Sequence, residues 1–366
     1  MTSRYALLAV VVGLLVPSLG FAQKDRVRFR DAGKEIEQEG DVVEQPTGLE
    51  LTGADKKKKT IPATDIIRVD YTTLEAFKLD IGKLEGGDGL KDPAKAVAYY
   101  ADKLKTFPAT GPEKTKRYFG FREAFWSGKV ADAKIDAGEF KNEAKKAADK
   151  MTAFVKANNK TWEQWTVGRN AARLYAETGD WTGVETVLKM LVAVPNSPPE
   201  LKNDVKAALL SYSIWLGKFG ESSVLLADLE GDAKGSPATA ETIAVYKLAM
   251  PLFADKPVDA GDAPAMAQRK TKLTELSKKL DEAVSKAKFP ATRTAAFALL
   301  GELYAANQMP REAMWNFLWV DAVYNQNRDE QVMAVNRLAS VFAVMGEKDG
   351  EKARAQQFRD RLPKVR

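Results

Sequence analysis

The side chains able to do chemistry in this sequence are its carboxylates, lysines and tyrosines, because it contains no histidine and no cysteine. That double absence excludes disulfides, thiolate nucleophiles, Ser-His-Asp and Cys-His arrangements, and zinc sites built on His or Cys. A pair of carboxylates about 5–10 Å apart could still hydrolyse a glycoside. Asp and Glu are abundant, yet no pair is marked out by its spacing or by an apolar setting. No catalytic residue, metal or cofactor is therefore expected.

Three other clusters could carry function. Lys56, Lys57, Lys58 and Lys59 are consecutive. They could hold an anionic polymer or a membrane surface, or be the solvated tip of a hairpin, which is the simpler account. With no aromatic between them they do not point to nucleic acid. Gly86-Gly87-Asp88-Gly89 lacks the Lys-Ser or Lys-Thr ending of a phosphate loop and has no strand before it, so it is expected to be a flexible turn. Trp315 and Trp319, four apart, point on a helical wheel roughly opposite to Ala313, Phe317 and Val320. That helix is apolar on two sides. A next helix covering both tryptophans is the preferred account, and two exposed rings would instead mark a contact site.

The elements that must position these groups are mostly helical. Phe297, Leu300, Gly301 and Tyr304 share one helix face, and Ala313, Phe317 and Val320 share one on the next helix. Gly301 interrupts the first helix at a cost of roughly 0.5–1 kcal/mol relative to alanine, which close approach of the second helix would offset. Pro310 suits the first turn of the second. Weaker copies follow Tyr175 (Gly179, Val184, Leu188, Leu191, Pro195), Trp215 (Val224) and Leu338 (Ala339, Phe342, Gly346), and Ala96, Tyr100 and Leu104 look like a lone second helix. Spacings of roughly 34–45 residues suit stacked helix pairs.

The order aromatic, Leu-Gly, Tyr, then Ala, aromatic and a small apolar residue resembles a tetratricopeptide repeat, with Asn325 where proline is usual. Such repeats bind or organise other proteins. The resemblance implies a concave groove in which Arg169, Arg173 and Asn336 could hold a peptide carboxylate. The corresponding Ala298 and Glu302 do not fit such a clamp, and a solvated helix face is the simpler account.

At the N-terminus Arg4 precedes an apolar run from Tyr5 to Val16, with Gly20 and Ala22 before a cut at Gln23. This is the pattern of a secretory signal. The run is shorter than the roughly 20 apolar residues of a spanning helix. Removing it takes away one positive charge, Arg4, and leaves +5 of the formal +6. Residues 26 to 71 alternate like strands: Val27 and Phe29, Ile36 to Glu44 with a bend at Gly40, Leu49 and Leu51, Thr60-Ile61, then Ile67, Val69 and Tyr71. Five short strands with a tight link from Ile61-Pro62 to Asp65-Ile66 resemble the small Sm-like barrels.

The expected protein is mainly α. A signal peptide spans 1–22, a small five-stranded β-barrel-like module 23–72, and an irregular tetratricopeptide-like helical solenoid 73–256 and 257–366. The expected role is an exported, periplasmic or extracellular, non-catalytic scaffold for a protein or peptide in the cell envelope. No nucleic acid and no transmembrane segment in the mature chain are expected. The alternatives are a carboxylate-dependent enzyme on envelope polysaccharide, or a binder of anionic polymer through the lysine run.

Overall fold

The structure is a computed structural model, and it describes residues 24–361 apart from 135, 198, 233–236, 256–257, 259–260, 326–327 and 347–348. The expected signal peptide, 1–22, lies outside the described residues.

The N-terminal module is an antiparallel sheet of β1 (Asp25–Asp31), β2 (Lys34–Gln45), β3 (Gly48–Thr52), β4 (Lys58–Pro62) and β5 (Ile66–Asp70), in the order β4-β3-β2-β1-β5. Val27 and Phe29 point into its core and the alternating Arg26, Arg28 and Arg30 point out, as period-two patterning requires. The turn at Ala32-Gly33 has positive φ at both residues, the geometry of a tight hairpin. β2 serves two partners: it pairs with β1 as far as Gly40 and with β3 from Asp41 onward. At the changeover, a Cβ on Gly40 would stand 2.4 Å from the Thr52 carbonyl oxygen, so the strand bends there only because the side chain is absent.

The sheet is not closed into a barrel, contrary to expectation. β4 and β5, its two edges, are joined by a short link yet do not pair with each other. β4 ends in Pro62, which has no N–H to offer a neighbour. The link's own donors turn elsewhere, Ala63 to the Thr47 carbonyl and Asp65 to that of Pro62.

A short helical passage follows: a 3-10 turn Thr72–Phe77, α1 (Lys78–Lys83), a π turn Leu84–Asp88 and α2 (Gly89–Lys91). The glycine-rich stretch is thus helical and not a loop. Glu85 anchors it, accepting from Tyr100 Oη and Arg122 Nε, each at 2.6 Å.

The remainder is helical. It runs through α3 (Pro93–Thr106), α4 (Glu113–Asp132), α5 (Ala137–Ala157), α6 (Glu163–Thr178) and α7 (Trp181–Val192). It continues through α8 (Pro199–Trp215), α9 (Phe219–Asp232), α10 (Pro237–Ala254) and α11 (Ala263–Lys286). It ends with α12 (Pro290–Ala306), α13 (Pro310–Ala322), α14 (Arg328–Met345) and α15 (Asp349–Arg361). Aspartates start several of them: Asp136 accepts from the N–H groups of Gly138 and Glu139, and Asp180 from that of Gly183. No described helix is long and apolar enough to cross a membrane.

Each helix from α3 packs on its successor, and α4, α10 and α12 also pack on the next but one. The contact that periodicity did not foreshadow is α14 on α6, which brings Val332, Met333 and Val335 into the core shared by the sheet and α3 to α8. Arg337 ties α14 to α12 and α8. Its guanidinium holds both oxygens of buried Glu302 at 2.6 and 2.7 Å, donates to the Trp215 carbonyl at 2.8 Å and lies 5.1 Å from the centre of the Trp215 ring.

The helix pair around Gly301 is built as its residues demand. Leu300, Gly301, Ala313, Phe317 and Val320 are buried, and a Cβ on Gly301 would meet the Phe317 ring at 2.5–2.8 Å. α6 and α7 repeat the arrangement with the roles exchanged, a Cβ on Gly183 meeting the Tyr175 ring at 2.5–2.8 Å. The expected copy at Trp215 differs, for Val224 is exposed at 65%. Replacing Gly301 by leucine should destabilise the protein by about 2 kcal/mol or more, because an aromatic ring cannot retreat as a flexible chain end can. Denaturant unfolding tests this, and an unchanged midpoint would refute the close approach.

Candidate functional site

Where the sheet meets the helices, charges are buried together. Arg117 of α4 donates through Nη2 to Glu44 of β2 and through Nε to Glu163 of α6 at 3.1 Å. The Tyr71 hydroxyl also donates to Glu44, and Trp162 Nε1 donates to the Tyr71 oxygen at 3.3 Å. The side chains of Arg117 and Glu163 are 8% and 1% exposed. Burial raises the Glu163 carboxyl, opposed by Arg117, and burial with the two carboxylates raises the Tyr71 phenol well above its ordinary value. Burial alone would lower Arg117, but Glu163 and Glu44 more than reverse this and keep it charged. Glu44 and Glu163 are thus two carboxylates brought together by the fold, and one guanidinium occupies both.

A cleft of about 440 Å³ lies beside this cluster, between the sheet and residues 72–81, and Tyr71 lines it. Six of its seven charged side chains are paired within its own walls, Arg26 with Glu39 at 2.7 Å, Arg68 with Asp70 at 2.5 Å, and Lys78 with Glu75 at 3.4 Å, and the seventh is Lys24. A second cavity, of about 260 Å³, lies among α6, α8, α10 and α14, and Arg169 stands in its wall.

The three residues of the implied carboxylate groove go to different places. Arg169 pairs with Asp204 of α8 at 3.3 Å. Arg173 grips Asp132 of α4 with two bonds at 3.0 and 3.2 Å and also meets Glu177 at 3.2 Å. Asn336 donates to the Val332 carbonyl of its own helix. Only Arg169 lines the cavity.

The lysine run is divided. Lys58 pairs with Glu50 at 2.8 Å, while Lys59 pairs with Asp31 at 2.5 Å and lies 4.6 Å over the Phe29 ring. Lys56, with φ 61°, and exposed Lys57 form the tip of the β3–β4 hairpin.

The tryptophans overturn the preference for burial. Trp315 is 62% and Trp319 46% exposed. The helices packed on α13, α12 and α14, meet it through Ala313, Phe317 and Val320, which leaves the opposite stripe open. Trp319 is backed by Phe297, whose ring stacks on it at 5.8 Å and on Tyr324 at 5.2 Å. Val323, one turn on, is 46% exposed.

Sequence reasoning missed the Arg117 cluster and the hydroxyl-bearing wall of the smaller cavity. The cluster joins residues 73 and 46 positions apart and leaves no local pattern. The wall had a signal: small and hydroxyl residues recur at helical spacing in Ala207, Ala208 and Ser211 and in Ala238, Thr239 and Thr242.

No family model matches the chain, and comparisons with curated proteins and with solved structures give no match either.

Replacing Arg117 by methionine should cost about 3–5 kcal/mol at neutral pH, since it leaves two carboxylates buried without their cation. With no cation opposing burial, the Glu163 carboxyl would titrate above its ordinary 4.5 in the folded state, so the folded state binds more protons than the unfolded above that value. Stability there falls as pH rises. The deficit should therefore shrink on acidification from about pH 7 to about pH 5, read from chemical denaturation at each pH.

Proposed function

We propose that this chain is a non-catalytic scaffold, a tetratricopeptide-like helical solenoid that binds a protein partner through the exposed aromatic stripe of α13. The observation that carries this is the exposure of Trp315 and Trp319 side by side on one helix. Large rings left in water on a well-packed helix are the residue type that most often dominates protein interfaces. The ring stack of Phe297 and Tyr324 fixes Trp319 in place, so little rotamer freedom remains to be lost on docking. Gly301 and Gly183, each covered by an aromatic ring of the paired helix, support the reading of α12–α13 and α6–α7 as repeat units. The signal-like sequence of residues 1–22 supports a partner in the cell envelope.

Trp315→Ala should change stability by about 1 kcal/mol or less, and Trp319→Ala, which also loses the ring stack, by about 1–2 kcal/mol. Each should weaken the partner by about 2 kcal/mol, roughly 30-fold, if both are central to the interface. Affinity capture from the native envelope with wild type and the double variant tests this. A partner held by the wild type should be lost from the variant. A partner retained equally by both, with both proteins folded, would overturn the assignment.

A further inference from the structure

α8 and α10 face one another across the 260 Å³ cavity with small and hydroxyl side chains that stay partly exposed. α8 offers Ala207, Ala208 and Ser211, and α10 offers Ala238, Thr239 and Thr242. Helix faces turned toward a core ordinarily carry large apolar residues, and interiors fill their space to crystal-like density. Here side chains too small to meet leave a void, and hydroxyls border it. A void of that kind holds water or a ligand.

The polar groups have a consistent character. Ser211 Oγ and the Tyr246 hydroxyl lie 2.6 Å apart with either able to donate. Thr242 Oγ1 stands 3.3 Å from Thr292 Oγ1. Hydroxyls give and accept equally well. Arg169, the cation in the wall among the described residues, already faces Asp204 at 3.3 Å. The cavity therefore does not demand an anion. Asn203, Asp204 and Glu330 add an amide and two carboxylates to the wall, able to pair with ligand hydroxyls, and Ile243, Leu229 and Met333 supply apolar surface. Burial and the nearby Glu330 raise the Tyr246 phenol, which keeps it a neutral donor and acceptor.

We propose that this cavity binds a neutral sugar, one pyranose ring in size. Mixed hydroxyl donors and acceptors match vicinal ligand hydroxyls, and the apolar patches match the C–H faces of the ring. The volume lies below the roughly 300–1,000 Å³ of sites for drug-sized ligands, which limits the occupant to about one ring. The site shares no residue with the tryptophan stripe, so it stands or falls separately from partner docking.

The test is calorimetric titration and thermal shift of the mature chain with glucose, galactose, mannose and N-acetylglucosamine, with glycine as a zwitterionic control. At least one sugar should bind and raise the melting temperature. Ala208→Leu, which fills the void, should abolish that binding. Thr242→Val, which keeps the shape and removes a hydroxyl, should weaken it at least tenfold with the unliganded melting temperature little changed. Should Ala208→Leu fail to fold, Thr242→Val decides the matter alone. Absence of binding by all four sugars, binding unaffected by the variants, or binding of glycine only would overturn the proposal.

Discussion

The structure depends on one guanidinium. Arg117 is the point at which a strand of the sheet, the fourth helix and the start of the sixth meet, through Glu44 and Glu163. A sheet this small has little core of its own and is marginal alone. Apolar packing supplies most of the attachment, since the sheet and α3 to α8 share one core. Packing, however, has no direction, and the ion cluster does. Tyr71, Glu44, Arg117 and Glu163 accept one arrangement, and so fix the angle at which the sheet sits on the helices. Gln164 and Trp165 extend the same seam by donating to the Pro46 carbonyl at 3.0 and 2.8 Å. The cluster stabilises less by its net energy than by the penalty of any arrangement that separates its charges.

The helices show a second kind of organisation. Neighbours in sequence are neighbours in space, and small residues set the close approaches. Gly301 under Phe317 and Gly183 under Tyr175 place an aromatic ring where a Cβ would otherwise be. Smallness serves a different end in α8 and α10, where nothing large reaches across to Ala207, Ala208 and Ala238 and a cavity results.

Much of this was legible in the residues. The five strands, the bend at Gly40 and the helix pair around Gly301 follow from period, turn chemistry and glycine placement, all of which act within a few residues. Barrel closure was not legible, because whether β4 and β5 pair depends on where two edge strands point after the sheet has curled. The exposure of Trp315 and Trp319 was not legible either. A helical wheel shows that α13 has two apolar sides but not which side has a neighbour. Arg173 looked like a groove residue from its position on α6, and its bonds to Asp132 join residues 41 positions apart. Arg169, on the same helix face, reaches the cavity because α8 passes beside it.

The return of α14 to α6 has a consequence for the order of events as the chain is made. The end of α6 and the start of α14 are 150 positions apart, and Arg337 reaches back 122 residues to the Trp215 carbonyl. Synthesis proceeds from the N-terminus, so the sheet and α3 to α8 exist complete before their last core residues, Val332, Met333 and Val335, have been added. Until then an apolar face of the finished half stands open to water. The last helices act as a lid fitted at the end of manufacture, and a chain truncated before residue 332 would carry an uncovered core.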